Sequence, residues 1–138
     1  HYEIVRVFAW EQTHHYELIS DLVRKMLMKA KDVTHAQYIE AHLALVAARR
    51  DHDEFMAVNG FDALLTPSTP GEAPLINTTG DSVFNRVWTA LGVPAIHLPL
   101  GMGPTGLPLG VQLTGRSWRD GDLLTSAALS EAAFSGGA

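Results

Sequence analysis

The 138 residues are 46% hydrophobic and 18% charged, apolar enough to build a packed core and unlike a disordered segment. Net charge is −5, from ten Lys and Arg against fifteen Asp and Glu. The one basic doublet, Arg49-Arg50, runs straight into Asp51 and Asp53, which argues against nucleic-acid binding. There is no cysteine, which removes disulfides, thiolate chemistry and zinc–thiolate sites.

No run of about 18 apolar residues is present for a membrane span, and residues 1–30 are too charged for a signal peptide. A cytoplasmic setting is the expectation. The charged fraction is below the usual value of about 25%, as expected of a surface that further protein covers. The chain opens at His1 inside an already periodic stretch and reads as part of a longer protein.

The sequence divides near residue 61. Residues 1–61 read as a helical segment and 62–138 as a strand and helix segment, together one incomplete domain. Ile4, Val7, Phe8, Leu18, Leu22 and Met26 recur at helical spacing, with breaks expected at Thr13-His14-His15 or Ser20-Asp21. Lys25, Lys29 and Lys31 suit a helix C-terminus. Thr34 with Gln37 forms a capping-box pattern, opening a helix to about Val58 that Asn59-Gly60 stops. Its apolar stripe is Ile39, Leu43, Val46 and Ala47.

Beyond residue 61 the period changes. Strands are expected at 62–66, 94–99 and 108–114, with Gln112 the one polar interior residue of the last. Pro67, Pro70, Gly71 and Pro74 make 67–80 a loop. Asp81 or Ser82 caps a helix over 82–91, stopped by Gly92. Residues 101–106 form a turn. Ser117 or Asp120 caps a final helix, and Ser135-Gly136-Gly137 is a frayed tail.

Five sequence elements stand in order here: Asp62 to Pro74 with its Thr-Pro-Ser-Thr-Pro core, Phe84 to Ile96 with Leu-Gly-Val-Pro, Leu98-Pro99-Leu100-Gly101, Gly106 to Leu113, and Asp120 with Leu123-Leu124. Together they resemble the C-terminal third of the amidase signature family. The resemblance implies an α/β fold, this chain supplying the C-terminal portion of a mixed β-sheet covered by helices. It implies an amidohydrolase that cleaves carboxamide C–N bonds by a Ser-Ser-Lys mechanism, without metal or cofactor. The family's two serines and lysine lie N-terminal to anything seen here, so no catalytic residue is assigned in this chain. Implied partners are the N-terminal part of the same enzyme and a small-molecule amide. The alternative is a non-catalytic subunit or assembly module of an amidase-like or amidotransferase complex, and its acidity gives no support for direct RNA contact.

The substrate-pocket candidates are Ser82, Phe84, Asn85 and Trp88, because in related amidases this helix and the Pro-rich loop border the cavity. Core packing of Phe84 and Trp88 and simple capping by Ser82 are the competing accounts. Trp88 is expected to be largely buried, with the 67–80 loop near Phe84. His14, His15, His35, His42 and His52 read as surface residues: His35 and His42 share a helical face but stand about 10 Å apart along it. His97 reads as a hydrogen-bonded core histidine, and Asp51, Asp53 and Glu54 as a solvated acidic face. Three strands cannot close the family's sheet, so self-association is expected.

Overall fold

The computed structural model describes residues 2–135; the tail expected at Gly136-Gly137 lies outside them. The chain forms two compact units that divide between Ala44 and Leu45, inside one long helix. Among the described residues no helix is long and apolar enough to cross a membrane.

The first unit is helical: α1 (Tyr2–Val7), α2 (Ala9–His14), a 3-10 turn at Tyr16–Leu18, α3 (Asp21–Ala30) and the start of α4 (His35–Asn59). Both expected breaks occur, and a third falls at Phe8. There the Gln12 side-chain amide donates to the Val5 and Phe8 carbonyls at 2.9 and 3.1 Å, bracing the two helices across the break. Ser20 caps α3 by accepting the Val23 N–H. The capping box closes as expected: Gln37 Oε1 accepts the Thr34 N–H at 2.9 Å, and Thr34 Oγ1 accepts the Gln37 N–H at 3.2 Å. Ile19, Leu27 and Ala30 are buried, whereas Lys25, Lys29 and Lys31 are exposed.

In the second unit α4 ends in a Schellman turn, with Gly60 at φ +67° and the Phe61 N–H on the Met56 carbonyl at 2.9 Å. The remaining elements are β1 (Leu64–Pro67), α5 (Arg86–Leu91), β2 (Ala95–Met102), β3 (Pro108–Thr114) and α6 (Asp120–Ser135). All three strands overlap the expected segments, β1 starting two residues late and β2 running on through Gly101 and Met102 of the expected turn, and the fold is α/β. The sheet order is β1-β3-β2, antiparallel throughout. Leu98 and Leu113 pack with Leu123 and Ala127 of α6, flanked by Ala63, Ile96 and Val111. Gln112 alternates with Val111 and Leu113 and so faces away from α6.

Two helix starts differ from the sequence reading. The helix expected over 82–91 begins only at Arg86: the Asp81 carboxylate takes the Val83 N–H at 3.0 Å, making a turn that delays it. Ser117 does not cap α6: its Oγ accepts no N–H of the helix, which starts three residues later at Asp120, and its own N–H goes to Asp53.

Candidate functional site

The loop between β1 and α5 crosses the sheet face opposite α6. Its two ends are drawn together by side-chain amides. Gln112, 5% exposed, donates to the Pro67 carbonyl at 3.2 Å and the Phe84 carbonyl at 2.7 Å. Asn85 donates to the Ser68 carbonyl at 3.1 Å. A buried amide with two acceptors in reach is satisfied as a donor and fixes both segments at once.

The four pocket candidates lie at this neck but not on one helical face. Ser82 is exposed; its Oγ accepts Arg86 Nε at 2.9 Å, and its carbonyl accepts the Asn85 and Arg86 N–H groups. Phe84 and Asn85 are half-buried and precede α5. Phe84 does lie beside the loop, as expected, through Gln112. Trp88 has most of its surface covered, as expected, without being fully buried. Its ring meets His52 edge-on, centroids 6.0 Å apart.

His52 is therefore not a surface histidine; its side chain is 9% exposed, with Nδ1 3.3 Å from Asp53 Oδ1. Asp53 leaves the solvated acidic face expected of it. Its carboxylate accepts the Ser117 N–H at 2.9 Å, tying α4 to a turn where Trp118 holds φ +61°, a left-handed conformation unusual for a large residue. Burial pushes the Asp53 carboxyl up, but the Ser117 N–H and His52 outweigh it and hold it below the ordinary aspartate value. Asp51 and Glu54 are exposed, as expected.

His97 is exposed rather than core. It sits on edge strand β2, with Nδ1 2.7 Å from Ser68 Oγ. That distance suits an activated hydroxyl. The Ser68 N–H, however, is turned to the Gly110 carbonyl at 3.4 Å, and no other described side chain bonds the ring's second nitrogen, so the pair serves as a tether. Gly110 permits it: a Cβ there would lie 2.2 Å from His97 Cε1 and 2.5 Å from the Leu98 carbonyl oxygen.

A second tether escaped the sequence reading. Glu72, mid-loop, accepts the Thr105 N–H at 2.9 Å, the Leu107 N–H at 3.3 Å and the Thr105 hydroxyl. A carboxylate two residues after a Pro in a loop carries no local sign of such a partner. Among the described residues no group of three or more His, Asp or Glu could hold a metal ion.

Residues 5–124 match the family described as Amidase. The chain belongs to the amidase family. It is 41% identical over 108 residues to a glutamyl-tRNA(Gln) amidotransferase subunit from Dinoroseobacter shibae, a stretch covering 71% of this chain and 22% of that protein. The corresponding subunit from Jannaschia sp. is 41% identical over 106 residues, covering 71% of this chain and 21% of the relative. The chain thus spans about a fifth of these curated relatives. A crystal structure of an amidase superposes with TM-score 0.78 and 29% identity, over 96% of this chain and 33% of the other. The peptide amidase of Stenotrophomonas maltophilia superposes with TM-score 0.62 and 25% identity, over 96% of this chain and 28% of that one.

Proposed function

We propose that this chain is the C-terminal part of an amidohydrolase that hydrolyses a carboxamide to a carboxylate and ammonia or an amine. The observation carrying the reading is the family match across residues 5–124, which takes in all five ordered sequence elements. On this reading the Ser-Ser-Lys chemistry belongs to the part of the enzyme N-terminal to this segment and needs neither metal nor cofactor. This chain contributes a wall of the substrate cavity. Phe84 and Trp88 offer apolar surface to the acyl group. Asn85 spends an N–H on the Ser68 carbonyl and keeps its amide oxygen to accept a substrate N–H. The enzyme works in the cytoplasm on a small-molecule amide, with the N-terminal part of the same protein as the partner of this segment.

A second reading is favoured by the 41% identity to amidotransferase subunits: a subunit of a complex that amidates charged transfer RNA. The test is to express the protein from its natural reading frame and follow ammonia release from glutamine and a panel of aliphatic and aromatic carboxamides. Turnover of simple carboxamides by the protein alone supports the first reading. Glutamine turnover seen only with partner subunits supports the second, and no release under either condition removes both.

A further inference from the structure

We infer that Glu72 is a positioning residue for the candidate substrate wall: it clamps the middle of the 68–85 loop to the tip of the β2–β3 hairpin and so sets where Ser82, Phe84 and Asn85 stand. The inference rests on the amidase reading above for what the wall is used for, and on geometry alone for the clamp.

The loop's neck is closed by Gln112, Asn85 and the Ser68–His97 pair. Between the ends, residues 69–80 bond chiefly to one another. Thr69 Oγ1 donates to the Gly71 carbonyl at 2.5 Å, the Thr78 N–H to the Leu75 carbonyl at 3.1 Å, and the Gly80 N–H to Thr78 Oγ1 at 3.2 Å. Among the described residues, Glu72 is the one side chain of 69–80 whose hydrogen bonds leave the loop. Without it the stretch leading into Ser82 is held only at its ends.

The receiving end is built for a carboxylate. The hairpin tip is braced by the Gly103 N–H on the Leu107 carbonyl at 2.8 Å and the Gly106 N–H on the Gly103 carbonyl at 3.0 Å. That turn presents the Thr105 and Leu107 N–H groups and the Thr105 hydroxyl to one carboxylate. Such charge-assisted bonds are roughly twice as strong as neutral ones. The approach is close: a Cβ on Gly103 would lie 2.1 Å from Glu72 Oε1, so a side chain there would expel the clamp.

The clamp is acid-sensitive. The Thr105 hydroxyl, with the two N–H groups beside it, holds the Glu72 carboxyl below the ordinary glutamate value. No charged side chain contributes to it among the described residues, so its strength follows its own protonation. With a depressed folded pKa, the clamp is at full strength above the ordinary glutamate value of about 4.3. It weakens as pH falls through the folded value.

The test uses the protein from its natural reading frame as wild type, E72Q and E72A. Hydrogen exchange is read at the Thr105 and Leu107 amides, and steady-state kinetics on the carboxamide that the wild type cleaves. E72A should speed exchange at both amides on the order of tenfold and raise KM several-fold with kcat nearly unchanged, the sign of lost positioning rather than lost chemistry. E72Q keeps an acceptor oxygen and should fall between, and it should lose the acid sensitivity of protection that the wild type shows. Unchanged exchange in E72A overturns the clamp. Faster exchange with unaltered KM overturns its positioning role. A wild type that cleaves no carboxamide overturns the proposed function, and with it the substrate part of this inference, whatever the exchange shows.

Discussion

Gln112 joins two backbone segments that the sheet alone would leave apart. Its amide supplies donors to the Pro67 and Phe84 carbonyls, and Leu of similar volume supplies none. Gln112→Leu should lose about 1–3 kcal/mol, because both carbonyls are stranded. Gln112→Glu should lose more at neutral pH, where it buries an acceptor-only charge, and recover partly on acidification. Urea denaturation checks both; a Leu variant as stable as wild type would refute the bridging role. Asp53 carries a pH effect of fixed sign. Its folded pKa is depressed, so its contribution is complete above the ordinary aspartate value of about 3.9 and is lost as pH falls through the folded one. Asp53→Asn should flatten that acid limb of the stability profile and leave the alkaline limb alone. Gln112 was legible in the sequence because one polar residue in an apolar strand has to be satisfied. Asp53, His52 and His97 were misread for a common reason. Their surroundings come from distant segments, as with Ser117, 64 residues from Asp53, and no local pattern encodes that.

Helix ends were the most legible elements where their signals are local. The Thr34–Gln37 box and the glycine stops at Gly60 and Gly92 depend on neighbours within five residues, and each formed as read. The start of α5 shows the limit, since Asp81 and Ser82 could each begin a helix and the Asp81 turn prevailed. Strand positions were legible from Pro and Gly punctuation, but the β1-β3-β2 order was not, since pairing is decided between segments. Gly92 joins both kinds of information. It holds φ +63° at the end of α5, and a Cβ there would come within 2.8 Å of Arg49 Nη2. The Arg49 side chain reaches across to the Leu91 carbonyl, a cation at a helix C-terminus. Gly92→Ala should destabilise by about 1–2 kcal/mol from the left-handed backbone alone, with a smaller addition from displacing a flexible guanidinium. Thermal unfolding of Gly92→Ala with and without Arg49→Ala separates the parts: only the addition should vanish in the double variant.

Apolar surface is left uncovered in both units. Ile39, Leu43 and Val46, the stripe read for α4, are 40%, 62% and 51% exposed, and Leu75 and Ile76 at the loop tip are 78% and 105% exposed. Surfaces of this kind recruit partners, and edge strands β1 and β2 each offer an unpaired row of backbone groups. The 138-residue chain by itself should therefore self-associate at micromolar concentration. Sedimentation velocity reads this directly, and a sharp monomer boundary that does not shift with dilution would count against it. The central place of β3 also imposes an order in time. β2 and β3 are joined by the short turn that Gly106 shapes at φ +81°, and hairpins of that kind close within about 1–10 μs. β1 cannot pair until Leu64 finds Thr114, closing a far longer stretch of chain at greater entropic cost. The hairpin is therefore expected to form the nucleus, with β1 adding late. Gly106→Ala should slow refolding, whereas Leu65→Ala should leave the refolding rate nearly unchanged and speed unfolding instead. Stopped-flow kinetics that showed the reverse would place β1 in the nucleus.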